Sequence, residues 1–458
     1  MILAGISFIP LAIWAYLLFG RGWFWLCGER DDSARATNGV RRERAALGSS
    51  RHREERSDAV IRGGVRLPAT PGLLRHSPSE RTGVFRRPMA RNDDRGSTET
   101  EFEPQNEPDA WPSVVAIIPA RDEADMIARS VGSLLRQDYP GPFSVVVVDD
   151  QSTDGTAAAA SNVASDAHAA DRLKILTGNG PPPGWTGKLS AMRQGLAEVE
   201  ASGHAPEFVL FTDADIAYAP HVLSRLVAIA RAQNSVLTSL MVRLRCESSA
   251  ERWLAPAFVF FFQMLYPFAW VNDPRRTTAA AAGGCMLVRR EALHAAGGLE
   301  AVRNALIDDC ALGALMKGQG PIWLGLTESV DSLRAYSTFA EFRRMVSRSA
   351  FAELRYSPLR LVGAIGGMAL VYLAPPLFAI FARGAAQTVG AITWAMMAIA
   401  LAPMLRLYGR NVIGGFALPA VAAAYVAFTF DSALQYWRGR GGYWKGRFQA
   451  PMRETGRA

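Results

Sequence analysis

Two short apolar runs in this chain end in carboxylates. Val145-Val146-Val147-Val148 passes into Asp149-Asp150, and Phe208-Val209-Leu210-Phe211 leads into Asp213-Ala214-Asp215. Uninterrupted apolar runs of this length read as strands buried on both faces of a parallel sheet. Open α/β sheets bind ligands at the carboxyl ends of their strands. Four acids at one rim repel each other unless a cation or several hydrogen-bond donors sit among them. Two carboxylates spaced i, i+2 on an extended turn can both reach a hard divalent ion that carries a phosphate. The pattern predicts a metal-dependent site for a nucleotide-activated substrate.

The surrounding sequence alternates strand and helix. Strands are expected at 113–118, 143–148, 173–176 and 208–211, with helices at 123–137, 154–169 and 189–199, the second capped by Ser152 or Asp154. This order implies an α/β fold with a mostly parallel sheet and right-handed crossovers.

Uncharged runs flank this region. Residues 2–20 are long enough to cross a bilayer, and with no basic segment before them and no clear cleavage site after them they read as an uncleaved anchor. Three further runs, 361–382, 385–405 and 412–430, have spanning length. The uncharged stretch 253–271 contains Pro256, Gln263 and Pro267; if it crossed, the acids before and after it would face opposite sides, so it is expected to pack on the core or lie in the interface. The organisation expected is an anchor at 1–28, an Arg-rich insertion or linker at 29–110, a catalytic domain at 111–358, membrane helices at 359–433 and a basic tail at 434–458. Arg21 and Arg30 place the domain in the cytoplasm, on the inner face of a bacterial membrane. Three later crossings would then strand the tail, with Arg438, Arg440, Lys445 and Arg447, outside. One of the last three segments is therefore expected to be re-entrant or interfacial.

The net charge of +8 invites a nucleic-acid reading, but residues 30–95 alone hold sixteen Arg against nine acids, so the rest of the chain is close to neutral and nucleic acid is excluded as a partner. Residues 29–109 contain no Lys and no lasting apolar period; disorder is the expectation. The stretch Arg51-His52-Arg53-Glu54-Glu55-Arg56-Ser57-Asp58 resembles translated interspersed repeat DNA, which would make it an insertion without catalytic purpose. The four cysteines are far apart and show neither a zinc nor a disulfide pattern.

Ile117-Ile118-Pro119-Ala120-Arg121-Asp122-Glu123, followed by Asp149-Asp150-Gln151-Ser152-Thr153-Asp154-Gly155-Thr156, resembles the opening of family 2 glycosyltransferases. The likeness continues through Gly187-Lys188, Asp213-Ala214-Asp215, Gly283-Gly284-Cys285-Met286-Leu287-Val288-Arg289-Arg290 and Asp308-Asp309, in order and with matching spacing. With an N-terminal anchor, C-terminal membrane helices and Trp185-Thr186-Gly187-Lys188, the chain is most similar to the hopene-associated glycosyltransferases. The resemblance implies a GT-A nucleotide-binding domain, a nucleoside-diphosphate sugar donor with uridine as the favoured base, and Mg2+ or Mn2+. It implies that Asp215 ligates the metal and that Asp213 assists it or contacts the ribose. Pro119, Arg121, Glu123, Asp149 and Asp150 would surround the base and ribose. Lys188, at the end of a turn-rich loop and the start of a helix, would meet phosphate. Asp309 would be the base that deprotonates an acceptor hydroxyl, with Asp308 positioning it.

The sequence departs from the family in two places. Met192-Arg193 stands where an Asn is frequent, and Arg343, Arg344 and Arg348 lack the spacing and the Trp of processive members, which argues against a polymerising synthase. The acceptor expected is a lipid, by the finer resemblance a hopanoid. A polyprenyl-phosphate sugar transferase is the enzymatic rival, and a non-catalytic membrane scaffold is the rival from another class.

Overall fold

The computed structural model describes residues 2–32, 110–203, 205–445 and 447–448. The insertion expected across 29–110 falls almost wholly outside the described residues.

The chain runs α1 (Ile2–Ala15), β1 (Val114–Ala120), α2 (Ala124–Leu135), β2 (Phe143–Asp149), α3 (Thr156–Asp166), β3 (Leu173–Thr177), α4 (Gly187–Ala201), β4 (Phe208–Phe211), β5 (Ile216–Tyr218), α5 (Val222–Ala232), β6 (Leu237–Arg243), α6 (Ser249–Leu265), β7 (Met286–Arg289), α7 (Asp308–Lys317), β8 (Ile322–Ser332), α8 (Phe339–Ser347) and α9 (Ala350–Glu353). The eight strands form one sheet in the order β3-β2-β1-β4-β7-β6-β8-β5. The β1–β2, β2–β3, β1–β4 and β6–β8 pairs are parallel, whereas β7 runs antiparallel to β4 and β6, and β5 antiparallel to β8. This is a GT-A-like α/β domain with a mostly parallel sheet.

The two-residue period of the strands feeds two cores. Val115, Ile117, Val146 and Val148 face α4, α6 and the C-terminal helices, while Val114, Ala116, Ile118, Val145 and Val147 face α2, α3 and α5. Both faces are covered, which is why these strands read as unbroken apolar runs. Pro119 lies inside β1 opposite Val148.

Several boundaries move by a residue or two from the sequence reading. Neither Ser152 nor Asp154 is the residue capping α3; Gly155 holds that place in a left-handed conformation, and Asp154 accepts hydrogen bonds from the amide and hydroxyl of Thr156. The stretch 253–271 is α6 plus a short helix, Phe268–Asn272, packed into the larger core.

Among the described residues, three helices are long and apolar enough to cross a membrane: Pro358–Phe381, Ala385–Leu407 and Val412–Trp437. The N-terminal run is shorter than expected. After α1 a π-turn covers Tyr16–Gly20; Gly22 then takes a positive φ, and Arg21 donates to the Met264 carbonyl of the domain at 2.6 Å. The following segment joins the sheet: Asp31 donates its amide to Leu326 O in β8, and Leu326 returns one to Glu29 O.

Candidate active site

The loops leaving β1 and β2 are laced together at the carboxyl edge of the sheet. Asp122 sits at φ +50° and Gln151 at φ +62°, conformations that only a dense set of bonds maintains. Asp122 N donates to Ser152 Oγ (2.9 Å), Glu123 N to Thr156 Oγ1 (2.8 Å) and Ala124 N to Asp154 Oδ2 (2.9 Å). In return Thr153 N donates to Asp122 Oδ1, and Ser152 N to Asp149 Oδ1, both at 2.9 Å. Asp149 thus closes its own turn, Asp150 is buried, and Arg121 donates through Nη1 to the Asp150 carbonyl. The structure brings these residues together at one edge of the sheet.

A second group gathers around Lys188, at the start of α4, where Thr186 caps the helix. Lys188 Nζ lies 2.8 Å from Asp213 Oδ1 and 3.0 Å from Asp308 Oδ2. Burial pulls its ammonium down, but the Asp213, Asp308 and Asp309 carboxylates more than offset this and hold it charged. Asp309 is fixed by the amides of Gly283 (2.9 Å) and Cys310 (2.8 Å). Burial raises its pKa to about 6, the neighbouring Asp308 adds to the rise, and Lys188 opposes it. Gly283 has a steric reason: a Cβ there would stand 3.1 Å from Lys188 Nζ and 3.3 Å from Asp309 Oδ2.

A third group was not visible in the sequence. Arg334, just beyond β8, donates from Nε to Asp215 Oδ2 (2.7 Å) and from Nη2 to both oxygens of Glu123 (2.6 and 2.8 Å). Lys445 also reaches Glu123, at 2.9 Å. No apolar run or recognised spacing marks Arg334, because the end of β8 is polar, and Lys445 lies more than three hundred residues from its partners.

The acid rim is therefore neutralised by two resident cations, Lys188 on Asp213 and Arg334 on Asp215. Among the described residues, no group of three or more His, Cys, Asp or Glu side chains is arranged to hold a metal. Asp213 and Asp215 supply only two hard carboxylates, and their mutual repulsion adds to the burial that raises the pKa of Asp213. That set fits a hard divalent ion that brings phosphate and water as its other ligands. Neither acid caps α5, whose first flanking residue is His221 and carries no side-chain cap.

Asp213, Asp308 and Asp309 also form one end of a cavity of about 410 Å3. Its other walls are largely apolar: Phe258, Phe261 and Phe262 from α6, Val346 from α8, and Ile365 and Met368 from the first C-terminal apolar helix. Polar groups interrupt them, among them the Tyr266 hydroxyl donating to Glu353. Arg348 lines this cavity, whereas Arg343 and Arg344 pair on the helix surface with Asp431 and Glu341.

Residues 115–297, which contain the first two groups except for Asp308 and Asp309, match the model for glycosyl transferase family 2. The match covers less than half of the chain. Two curated relatives align with it in part: an N-acetylglucosaminyltransferase of Mesorhizobium japonicum, 30% identical over 42% of this chain and 42% of its own length, and an N-acetylglucosaminyltransferase of Rhizobium leguminosarum bv. viciae, 28% identical over 40% of each. The chain thus spans about two fifths of the length of the curated relatives it matches. Among solved structures, the mannosyltransferase PcManGT of Pyrobaculum calidifontis, in complex with GDP-Man and Mn2+, is 21% identical, with a TM-score of 0.44 over 72% of this chain and 90% of that one. The matched stretch ends before Asp308, Asp309 and Arg334, which the fold brings back to it.

Proposed function

We propose that this chain is a membrane-bound inverting glycosyltransferase of the bacterial inner membrane, with its domain facing the cytoplasm, moving a sugar from a nucleoside-diphosphate sugar to a lipid hydroxyl. One observation carries the reading: the cavity that begins at Asp309 continues between apolar walls into the C-terminal helices. A lipid acceptor could place its hydroxyl at the carboxylate while its chain stays among Phe261, Ile365 and Met368. The resemblance to hopene-associated glycosyltransferases makes a hopanoid the specific acceptor proposed, and a uridine diphosphate sugar the donor.

In the reaction, the acceptor oxygen bonds to the anomeric carbon as the bond from that carbon to the diphosphate breaks. The acceptor proton passes to Asp309, whose carboxylate the Gly283 and Cys310 amides hold in place, while Asp308 holds Lys188 beside it. Inversion requires the base and the departing diphosphate on opposite faces of the sugar. Lys188 supplies positive charge where the diphosphate departs. A divalent ion, Mg2+ or Mn2+, held by Asp213 and Asp215 would share that charge. Asp149, Asp150 and Arg121 would frame the nucleoside.

The charges of the cavity favour a hydroxyl over a polyprenyl phosphate. Lys188 is already paired with Asp213 and Asp308, which leaves Arg348 beside Asp309 and Glu353 and no surplus of cations to receive an anionic acceptor. The test is transfer of labelled sugar from UDP-sugar donors to lipids from the organism's own membranes, separated into neutral and acidic fractions. Label should enter the neutral fraction and vanish in Asp309→Asn. Label in the acidic fraction with Asp309→Asn still active would overturn the hydroxyl reading. Absence of Mn2+-dependent UDP binding would favour the scaffold.

A further inference from the structure

Beyond the last apolar helix, the chain returns to the nucleotide side of the sheet. Lys445 Nζ donates to the carbonyl of Asp122 at 2.8 Å and lies 2.9 Å from the Glu123 carboxylate, while Arg121 Nε donates to the Lys445 carbonyl at 3.1 Å. Three consecutive residues of the β1–α2 loop are thereby tied to a single tail residue. Asp122 is the residue at φ +50°, and its carbonyl direction follows from that conformation. Glu123 is 7% exposed, and its other cationic partner is Arg334, which also holds Asp215. Charges therefore alternate without a break from Lys445 through Glu123 and Arg334 to Asp215.

The helix that delivers the tail runs along the domain. Gly414 lies against Trp253 of α6. Further on, Tyr425 donates its hydroxyl to Leu254 O at 2.8 Å, Phe428 O accepts from Ser347 Oγ at 3.0 Å, and Ser432 Oγ accepts from Phe351 N at 3.0 Å. Both ends of Val412–Trp437 thus touch the domain. By contrast, Pro358–Phe381 departs from α9, and Ala385–Leu407 returns, with Tyr408 accepting from Leu244 N at 3.3 Å. One pair of helices going out and back, followed by one lying flat, leaves the tail on the side where the domain is.

We infer that Lys445 is a positioning residue of the donor site and that Val412–Trp437 lies along the domain without crossing the bilayer. Lys445 acts through the loop: it fixes the Asp122 carbonyl and the Glu123 carboxylate, and through Glu123 it sets Arg334 against Asp215. The inference rests on the donor site proposed above.

Two measurements on the full-length protein in membranes test it. First, the Kd for UDP with Mn2+ should rise about tenfold in Lys445→Ala, the loss of one charged hydrogen-bonding partner. Lys445→Arg should restore most of the affinity, and Lys445→Ala should add less to Glu123→Gln than it does to the wild type. An unchanged Kd in Lys445→Ala, or fully additive effects, overturns the positioning role. Second, cysteines at Gly442 and at the domain residue Glu198 should react with a membrane-impermeant maleimide from the same side, above the wild-type background. Labelling from opposite sides overturns the flat helix. Wild-type protein that binds no UDP sinks the donor site and Lys445's role with it, whereas the labelling result decides the helix independently.

Discussion

The pKa of Asp309 carries the sharpest consequence at the level of single residues. Burial and Asp308 raise it to about 6, so below that pH the proposed base holds its own proton and cannot accept another. Transfer should therefore fall tenfold per pH unit below about 6. Asp309→Asn should reduce kcat by about 10²- to 10⁴-fold and abolish that acid limb; a limb that survives in Asp309→Asn would assign it to another group. The Asp215→Ala variant should lose Mn2+-dependent UDP binding, yet its Arg334 would keep Glu123 and the variant should stay folded. A circular-dichroism melt beside a binding titration separates the two effects. Asp149, Asp150, Asp213 and Asp215 were legible because they follow apolar strands, and Asp308 and Asp309 through the family resemblance. Arg334 and Glu353 were not, since each enters from a polar or helical segment whose local sequence is that of an ordinary surface, and Tyr266 was not, since it stands in an uncharged run that gives its hydroxyl no sign of a partner.

Among the elements, the laced loops after β1 and β2 decide whether the strand ends form a site at all. Asp154 joins them, accepting from Ala124 N on one side and from Thr156 on the other. Asp154→Ala removes the acceptor of the Thr156 amide at the start of α3 and the tie between the loops, and should cost about 1 kcal/mol, read as a lowered urea midpoint. UDP affinity should fall with it. β1, β2 and β4 could be read directly because burial on both faces removes polar interruptions. β5 to β8 escaped the sequence reading for the opposite reason: β5 is three residues long and β8 ends in Thr327, Glu328 and Asp331, where pairing with β5 and β6 overrides a weak local pattern. The helix expected at 123–137 ends two residues early, at Leu135, because Gln137 turns back, its amide donating to Ser133 O and Ala219 O.

For the whole molecule, the separation of charge and catalysis is testable. Nearly all of the basic surplus lies in residues 30–95, apart from the groups named in the site. Deleting 36–95, which keeps Arg30 and Asp31 on β8, should leave UDP affinity within about twofold and remove retention on a DNA column at low salt. Retention that persists would show a basic surface on the domain itself.

The contact of Asp31 with Thr327 joins residues 296 apart. At about 5–20 residues per second of synthesis, some 15–60 s separate the emergence of the two partners. Through that interval the N-terminal segment has been made while the β8 edge it will meet does not yet exist. Completion of the sheet therefore has to wait for its late strand, and a chaperone that shields open strand edges would have its longest window to act.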